Sequence, residues 1–486
     1  MKAQPFSALV DAPVHGDDVM ISGIALDSRK VMPGYLFCAV KGETQDGHAY
    51  LPQALANGAS AVALENAADA PSLPVSYVVL PDLKKQLGHI AARFYQHPAE
   101  HMRVVGITGT NGKTSVAAYV AQLMALNHIS CGQVGTLGVH YAGQLLETQN
   151  TTPGAFSLQH AFFAMHQAGV EAVAMEVSSH AMEQFRCEGI GFNTVVFTNL
   201  THDHLDYHGS FSAYRDAKLK LFRQPQVKTA IVNLDDANAV AFIDASTAQH
   251  VQTYALTNNK ADVYLSDVQR QVQGYRAVLH VQDKNYALTT PLLGEFNLSN
   301  MLAAVCVMLA QGVEVGKIAE QCRCLQPVPG RMQTIANDLG ITAVVDYAHT
   351  PDALEKVLQN LRRHTQHKLI VVFGCGGNRD TGKRPLMAKI TEQNADFSIV
   401  TTDNPRHESV DVINNDIIQG FEGSAYRVVT HRAEAIAEAV DLAVAGDCIV
   451  VAGKGHEAYQ QIGDSRFAFD DAQVLQQCLL KKAGAA

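Results

Sequence analysis

The hydrophobic positions of this chain fall into short runs that alternate with longer stretches of mixed character. The runs are rich in β-branched residues, whereas stretches such as 116–126 and 433–443 have the composition of helices. The clearest runs are 104–108, 172–177, 194–198, 230–233, 343–346, 369–373, 397–401 and 448–452. This alternation predicts an α/β fold with mostly parallel sheets, in which ligands bind at the carboxyl ends of the strands.

The length of 486 residues predicts about three domains. A rigid break at Pro327-Val328-Pro329-Gly330 is the expected start of the last one. We predict a smaller N-terminal α/β domain over 1–97, a central domain like that of P-loop ATPases over 98–328, and a Rossmann-like α/β domain over 329–486.

Composition narrows the classes of partner. The formal charge of −10 argues against a general polyanion binder, so we expect no nucleic acid, and phosphate recognition must be local. Nine cysteines without a Cys-x-x-Cys pair are typical of a reduced, cytoplasmic protein. The N-terminus lacks an apolar signal core and no run reaches membrane-spanning length, so we expect no membrane partner.

The first strand-like run of the central part ends in a glycine-rich turn, Gly109-Thr110-Asn111-Gly112-Lys113-Thr114-Ser115. Backbone N–H groups of such a loop, at the start of a helix, cradle phosphate. The lysine would reach the β- and γ-phosphates, and the Thr114 or Ser115 hydroxyl could hold Mg²⁺. The strict phosphate-loop pattern requires glycine where Ile107 stands, so a chance glycine-rich turn is the alternative.

Further candidates follow later strands. Glu176 ends an apolar strand and could bind Mg²⁺ or cap the next helix. The segment 198–208 contains three histidines and two aspartates, which also invites a zinc interpretation.

If Lys218 faces the site it must be neutral or carbamylated, because a bare ammonium would repel Mg²⁺. The alternative is that Lys218 and Lys220 are two solvated lysines.

The next candidates along the chain are side chains suited to binding a nucleoside and its phosphates. Asn297 and Asn300 could read an adenine edge, or they could cap the helix that they open. Asp346 follows a strand and could hold a ribose hydroxyl, and Arg331 just upstream could pair with phosphate.

Three polar segments, 373–385, 402–406 and 453–457, follow three strands of the last domain, and we expect them along one sheet edge. They offer arginine for carboxylates and acidic residues for ammonium groups, which suits an amino-acid substrate with several charged groups. Scattered surface residues are the alternative.

The loop Gly-Thr-Asn-Gly-Lys-Thr resembles the ATP loop of the Mur ligase and folylpolyglutamate synthetase superfamily. Over nearly its whole length the chain resembles the Mur ligases that add meso-diaminopimelate to UDP-MurNAc-L-Ala-D-Glu. The segments 26–29, 33–37 and 46–48 match the uridine-binding domain of that family. The tetrapeptide Asp403-Asn404-Pro405-Arg406 is the one that its diaminopimelate-using members carry.

The resemblance implies four groups of site residues. ATP would contact Gly109, Thr110, Asn111, Gly112, Lys113, Thr114, Ser115, Asn297, Arg331, Asp346 and His349. Two Mg²⁺ ions would be held by Thr114, Glu176, His204 and a carbamylated Lys218, so that Lys113, Glu176, His204 and Lys218 form the catalytic set. The UDP-linked substrate would contact Leu26, Ser28, Glu43, Thr44, Gln45, Asn150, Thr151, Thr152, Ser178, Gln184 and Arg186. Diaminopimelate would contact Arg379, Asp403, Asn404, Pro405, Arg406, Gly453 and Glu457.

The resemblance also implies an activity, in which ATP converts a substrate carboxylate to an acyl phosphate that the amine of diaminopimelate attacks. Arg406 could grip the extra carboxylate that distinguishes diaminopimelate from lysine. The alternatives are the same ligation with L-lysine and a P-loop nucleotide switch that is not a ligase. We expect a monomer.

Overall fold

The protein is described by a computed structural model that covers residues 2–42, 45–66, 73–148, 150–271 and 274–485. The chain divides into two compact units. Unit 1 comprises Met1–Leu265, Leu279–Tyr286 and Ser299–Gln321, and unit 2 comprises Ser266–Val278, Ala287–Leu298 and Cys322–Ala486. The three domain ranges predicted above remain a prediction.

Unit 1 begins with a small α/β layer. Its strands are β1 (Gln4–Pro5), β2 (Met20–Ile21), β3 (Gly23–Ala25), β4 (Tyr35–Ala39), β5 (Ala59–Leu64) and β6 (Ser76–Val79), with helices α1 (Leu51–Ala56) and α2 (Leu83–Phe94). Strands β3 to β6 form a parallel sheet in sequence order. Apolar residues fill both of its faces, because alternate residues of β4 and β5 belong to two separate core clusters.

The larger sheet of unit 1 carries the glycine-rich turn 109–115, which is the predicted phosphate loop. Its elements are β7 (Arg103–Thr108), β8 (Cys131–Gly135), β9 (Gly138–Tyr141), β10 (Gln144–Leu146), β11 (Ala172–Glu176), β12 (Thr194–Phe197), β13 (Thr229–Asn233) and β14 (His250–Ala255), with α3 (Lys113–Leu126), α4 (Ala155–Gln167), α5 (Ser179–Glu183), α6 (Leu205–His208), α7 (Phe211–Phe222) and α8 (Ala239–Ala245). The strand order is β10-β9-β8-β11-β7-β12-β13-β14, parallel from β8 to β14. Strand β7 therefore lies between β11 and β12, so the segments that follow these three strands emerge side by side.

Four elements have residues in both units, namely β15 (Val263–Arg270), β16 (Tyr275–Val281), β17 (Lys284–Thr290) and α9 (Glu295–Ala310). Helix α10 (Val315–Gln321) belongs to unit 1. None of the helices within the described ranges has the length and apolar character needed to cross a membrane.

Unit 2 is built on a second sheet. Its elements are β18 (Gln333–Thr334), β19 (Thr342–Asp346), β20 (Leu369–Phe373), β21 (Phe397–Val400), β22 (Tyr426–Val428), β23 (Cys448–Ala452), β24 (Tyr459–Ile462) and β25 (Ser465–Ala468), with α11 (Pro351–Arg362), α12 (Lys383–Asn394), α13 (Val410–Ile418), α14 (Arg432–Leu442) and α15 (Asp471–Ala485). The order β18-β19-β23-β20-β21-β22 is parallel from β19 to β22. Alternate residues of β20 pack into two different cores, which explains its continuous apolar run. The predicted α/β class with mostly parallel sheets is confirmed.

One close backbone contact in unit 1 leads to a stability prediction. A Cβ added to Gly88 of α2 would lie 2.0 Å from the carbonyl oxygen of Glu188, which is backbone and has no rotamer to change. We expect Gly88→Ala to lower the free energy of unfolding by about 1–2 kcal/mol, because the clash outweighs the gain in helix propensity.

Chemical denaturation of the variant measures this loss. Gly484→Ala is the matched control, since Gly484 is also helical and a Cβ there would meet nothing within 4 Å. Its stability should equal or slightly exceed that of the wild type. Equal denaturation midpoints for Gly88→Ala and the wild type would contradict the steric argument.

Candidate active site

The phosphate loop connects β7 to α3, and two of its glycines have backbone conformations that side chains rarely adopt. Gly109 has a φ of +151° and Gly112 a φ of +89°. A Cβ at Gly109 would lie 1.9 Å from the Thr198 hydroxyl oxygen, and one at Gly112 would lie 2.3 Å from Asn300 Oδ1. The loop is therefore built for glycine at both positions. Ile107 breaks the strict motif because it is a buried residue of β7 itself.

Neighbouring strand ends hold the loop in shape. Asn199 Oδ1 accepts a hydrogen bond of 3.0 Å from the Asn111 backbone N–H. Thr198 Oγ1 donates to the Asn111 carbonyl at 2.6 Å. The Thr110 and Tyr214 hydroxyl oxygens lie 3.0 Å apart. This network fixes the backbone of the glycine-rich turn, and the phosphate-binding role of the turn stays a prediction.

Two lysines converge on one carbonyl of the loop. Lys113 Nζ donates to Gly109 O at 2.9 Å and to Thr110 O at 2.8 Å. Lys218 Nζ, from α7, also donates to Gly109 O at 2.9 Å. The structure thus brings the predicted phosphate-binding lysine and the predicted carbamylated lysine to the same point.

Lys218 is only 2% exposed, and its Nζ lies 4.6 Å from the centre of the Tyr214 ring. Burial and the neighbouring Lys113 ammonium lower the pKa of Lys218 well below its ordinary value of 10.5. Lys220, two residues on, turns away and pairs with Glu183 at 2.8 Å. The alternative of two solvated lysines is therefore wrong for Lys218.

Glu176 is buried at the end of β11. The Thr136 backbone N–H donates to Oε1 at 2.8 Å, and the Thr136 hydroxyl donates to Oε2 at 3.2 Å. The alternative role of Glu176 as a helix cap is wrong. Ser178 caps α5 instead, because its hydroxyl accepts from the Ala181 N–H. Thr136, which orients the carboxylate, was missed because no local motif marks it.

The residues predicted to hold the UDP-linked substrate near Glu176 form one hydrogen-bonded group. Thr152 Oγ1 donates to the Glu176 carbonyl at 2.9 Å and accepts from the Ser178 N–H at 3.1 Å. Arg186 Nη1 donates to the Thr152 carbonyl at 2.8 Å, and its Nε donates to Gln184 Oε1 at 3.0 Å.

Two more residues of this predicted set lie on the preceding segment. The Thr151 hydroxyl oxygen lies 3.1 Å from that of Thr136. The Asn150 carbonyl accepts from the Thr148 hydroxyl at 3.1 Å.

His204 has a left-handed backbone with a φ of +53° and a side chain that is 48% exposed. Its Nε2 lies 3.5 Å from Asp203 Oδ2, and its ring centre lies 4.8 Å from that of His180. Burial lowers the pKa of its imidazole below the ordinary value of 6.5. In the part of the chain that is described, no group of three or more His, Cys, Asp or Glu is arranged to hold a metal ion, so the zinc alternative gains no support.

The predicted uridine-side residues lie in the N-terminal layer. Ser28 is buried, and its hydroxyl donates to Gln53 Oε1 at 2.7 Å. Leu26 is exposed, and the Gln45 carbonyl accepts from the Gly42 N–H at 2.8 Å. Glu43 and Thr44 lie outside the described residues.

In unit 2, both carboxylate oxygens of Asp346 accept backbone N–H groups, from Met332 at 2.7 Å and from Ala348 at 2.8 Å. Burial raises the pKa of this carboxyl above its ordinary value. The Arg331 guanidinium stacks over the Tyr347 ring, with its central carbon 4.4 Å from the ring centre.

His349 and Asn297 are bonded to carbonyl groups. His349 Nδ1 lies 2.9 Å from the Tyr347 carbonyl oxygen. Buried Asn297 donates from Nδ2 to the Leu293 carbonyl at 2.8 Å. This bond ties Asn297 to the start of α9, whereas Asn300 borders the phosphate loop of unit 1.

The three polar segments of unit 2 follow β20, β21 and β23, which are adjacent parallel strands. The prediction that they share one sheet edge is therefore confirmed. Gly453 has a φ of +113°, and a Cβ there would lie 2.7 Å from Asp403 Oδ2. Arg406 Nη1 donates to the Gly377 carbonyl at 2.8 Å. Arg379, on the same glycine-rich turn, is exposed.

Backbone and side-chain groups of the tetrapeptide 403–406 are hydrogen-bonded to β24. The Arg406 N–H donates to the Gln461 carbonyl at 3.1 Å, and the Gln461 N–H donates to Asn404 Oδ1 at 2.9 Å. Arg406 has a φ of +52°, an uncommon conformation for a non-glycine residue that neighbouring contacts must impose. Asn404 Nδ2 donates to Glu457 Oε2 at 2.8 Å.

The two units together define a class of protein, a multidomain α/β enzyme with a phosphate loop on one sheet and a cluster of charged side chains on another. Three protein-family descriptions match this chain, one after another along its length. They are "Mur ligase family, catalytic domain" over residues 20–95, "Mur ligase middle domain" over 107–308 and "Mur ligase, glutamate ligase domain" over 330–455.

Curated relatives named UDP-N-acetylmuramoyl-L-alanyl-D-glutamate–2,6-diaminopimelate ligase are similar over nearly the full length. The protein from Coxiella burnetii is 44% identical, with 99% of this chain and 100% of the relative covered. The one from Pseudomonas aeruginosa is 44% identical, with 95% and 96% covered. The chain therefore belongs to the Mur ligase family.

Solved structures agree on the fold. A structure of a ligase with the same name superposes with a TM-score of 0.76 at 36% identity, covering 99% of both chains. A folylpolyglutamate synthase from Mycobacterium tuberculosis superposes with a TM-score of 0.63 at 21% identity, covering 76% of this chain and 92% of that one. The second comparison shows the fold alone.

Proposed function

We propose that this protein is the ATP-dependent ligase that joins meso-2,6-diaminopimelate to UDP-N-acetylmuramoyl-L-alanyl-D-glutamate in peptidoglycan precursor synthesis. The observation that carries the proposal is the segment Asp403–Arg406, held at the end of β21 beside Gly453 and Glu457. The names of the 44% identical relatives support it. A site that offers both a guanidinium and carboxylate groups suits a substrate with two amino and two carboxylate groups.

The nucleotide-binding roles rest on the phosphate loop. Backbone N–H groups from Gly109 to Ser115 would surround the phosphates of ATP, with Lys113 beside the β- and γ-phosphates. We assign Arg331 to a phosphate, Asp346 to the ribose, and Asn297 and His349 to the adenosine side. The spare lone pairs of Asp346 allow this, since each of its oxygens accepts one N–H in the structure.

The residues around the loop fit Mg²⁺, which prefers one or two carboxylates with the remaining sites left to phosphate oxygens and water. Glu176 offers a carboxylate that Thr136 holds in a fixed orientation, and Thr114 opens α3 with a hydroxyl. His204 and a carbamylated Lys218 complete the proposed ligands for two ions. When bound, Mg²⁺ offsets the repulsion between the substrate carboxylate and the triphosphate.

Carbamylation of Lys218 would add CO₂ to its amine and release one proton, leaving a carbamate oxygen where a cation would otherwise sit. Burial of the amine beside Lys113 supports the modification, because a buried ammonium next to the ammonium of Lys113 would be costly.

The UDP-linked substrate would contact Ser28, Leu26 and the segment 43–45 through its nucleotide. Its peptide would contact the hydrogen-bonded group near Glu176, which comprises Thr152, Ser178, Gln184 and Arg186, and also Asn150 and Thr151 on the preceding segment. This group lies beside the end of β11, next to the phosphate loop in the strand order.

The reaction then needs no protein nucleophile. A carboxylate oxygen of the D-glutamyl residue attacks the γ-phosphorus of ATP, ADP leaves, and an acyl phosphate forms. The amine of diaminopimelate attacks the acyl carbon, phosphate leaves with the bonding electrons, and the amine loses a proton as the amide forms. Catalysis consists of positioning and charge stabilisation.

We further propose that the protein is a cytoplasmic monomer with no membrane or nucleic-acid partner, and that its domains span 1–97, 98–328 and 329–486.

A product assay with ATP, UDP-MurNAc-L-Ala-D-Glu and either diaminopimelate or lysine tests the proposal. We expect an amide product with diaminopimelate and a lysine reaction slower by several orders of magnitude, because lysine would leave the Arg406 guanidinium without a carboxylate partner. Preference for lysine would refute the assigned substrate. ATP hydrolysis without any amide product would favour the nucleotide-switch alternative.

Arg406 is expected to control this preference. Arg406→Ala should raise KM for diaminopimelate by about 100-fold, because a bidentate charged hydrogen bond is lost, and should leave KM for ATP within about twofold. Steady-state kinetics with each substrate varied measures both constants. Equal increases in the two KM values would contradict the assignment.

Arg406→Gly separates strain from binding. Glycine adopts the φ of +52° freely, whereas alanine at the same position keeps a Cβ in the left-handed region. Both variants should show the same KM for diaminopimelate. The melting temperature of the alanine variant should be lower than that of the glycine variant, because only alanine is strained at this φ.

A further inference from the structure

A fully buried lysine lies behind the proposed diaminopimelate site. Lys454 follows β23 with 0% exposure. Its Nζ donates to Asn404 Oδ1 at 3.1 Å and to Glu457 Oε2 at 3.2 Å. It also lies 5.5 Å from the centre of the Tyr459 ring. A charged side chain this deeply buried is tolerated only when it is paired and hydrogen-bonded.

The bonds of Lys454 determine which way the Asn404 amide points. Asn404 Oδ1 accepts from both Lys454 Nζ and the Gln461 backbone N–H, the latter at 2.9 Å. Two donors can face only the oxygen of the amide, so the nitrogen must point the other way. That nitrogen, Nδ2, donates to Glu457 Oε2 at 2.8 Å.

The result is a carboxylate with one oxygen fixed and one available. Glu457 Oε2 receives Lys454 and Asn404, whereas Oε1 has no hydrogen-bond partner within the described part of the chain. The Glu457 side chain remains 20% exposed, so a ligand can reach it.

We infer that Lys454 is a positioning residue, which clamps Glu457 through Oε2 and through Asn404 so that Oε1 receives an ammonium group of the amino-acid substrate. This inference rests on the proposed function, because it deepens the role of Glu457 in that site. Lys454 stands within the Gly-Lys-Gly-His-Glu segment and itself touches no substrate in this arrangement.

Lys454→Met tests the inference, because methionine keeps the apolar stem and removes all three N–H donors. We expect KM for diaminopimelate to rise by about 10- to 100-fold, as when a hydrogen bond to a charged group is lost. KM for ATP and for the UDP-linked substrate should stay within about twofold. Lys454→Gln keeps one donor for Asn404, and it provides a second, milder measurement if the methionine variant folds poorly.

Lys482→Met is the matched control. Lys482 Nζ donates to three backbone carbonyls, those of Val440, Asp441 and Ala443, and takes no part in the proposed site. Its replacement should lower the melting temperature and leave KM for diaminopimelate unchanged. If Lys454 only stabilised the fold, Lys454→Met would likewise lower the melting temperature and leave KM for diaminopimelate unchanged.

A double-mutant cycle shows whether Lys454 acts through Glu457. The effects of Lys454→Met and Glu457→Gln on KM should be strongly non-additive, because the second change removes the group that the first one misplaces. Additive effects would overturn this inference and leave the proposed function intact. The same holds if the wild type is active and KM for diaminopimelate is unchanged in both Lys454 variants. Absence of amide product from the wild type would overturn the proposed function, and this inference with it.

Discussion

Replacing Lys218 with methionine is expected to lower kcat by about 100- to 1,000-fold, the cost of losing one charge-stabilising group in a buried site. The amine lies against Gly109 O at 2.9 Å, at the same loop carbonyl that Lys113 contacts. Methionine fills the buried space but carries neither an amine nor a carbamate, so the proposed Mg²⁺ ligand disappears. A continuous assay of ADP release measures the loss.

Lys220→Met is the control for this variant. Lys220 lies on the same helix, is partly exposed and pairs with Glu183. An exposed ion pair contributes little, so kcat should stay within about twofold of the wild type. Activity near the wild-type level in Lys218→Met would contradict the assignment of Lys218.

The carbamate itself can be tested by chemical rescue. Lys218→Ala leaves room beside Gly109, and short carboxylic acids such as formate or acetate should restore part of the activity by supplying the missing oxygen. The same acids should not raise the activity of Lys218→Met, because the methionine side chain occupies that space. Equal responses of the two variants would argue against a carbamate.

Replacing Lys113 with methionine is expected to reduce formation of the acyl phosphate by about 1,000-fold. Its ammonium is held at the loop by the Gly109 and Thr110 carbonyls and stands where the β- and γ-phosphates of ATP are proposed to bind. Without it, the charge that develops during phosphoryl transfer would lose a cation that is fixed at the loop. The fold should persist, because the glycine conformations and the Asn199 contacts of the loop do not depend on this side chain.

Trapping the acyl phosphate with hydroxylamine in the absence of diaminopimelate isolates this first step. The melting temperature of the variant should be close to that of the wild type. Normal trapping in Lys113→Met would show that the loop is not the phosphate site and would remove the basis of the nucleotide assignments.

Local chemistry explains why most strands and the loop were predictable. Runs such as Leu369–Phe373 and Cys448–Ala452 are strands at the predicted bounds, because a strand buried on both faces needs an unbroken apolar run. The glycine-rich turn between a strand and a helix follows from neighbouring residues alone. So does the expectation that three polar segments share one sheet edge, since parallel strands place their carboxyl ends together.

Other features depend on residues far apart in the chain. The spacing of Lys218 and Lys220 shows that they face different ways, but only the packing of α7 decides which one is buried against Gly109. Thr136 orients Glu176 from the turn between β8 and β9, and Ser178 caps the helix that Glu176 could equally have capped.

By itself, the sequence therefore determined the α/β class, the phosphate loop and the residue types offered at each strand end, because these depend on short-range periodicity and turn chemistry. The tertiary structure alone decided which of those side chains are buried, paired or left with a free oxygen. Lys454, Asn404 and Gln461 illustrate this, since their hydrogen bonds join the end of β21 to β24 and the end of β23. Burial and pairing energies depend on distances in space, and sequence spacing does not encode them.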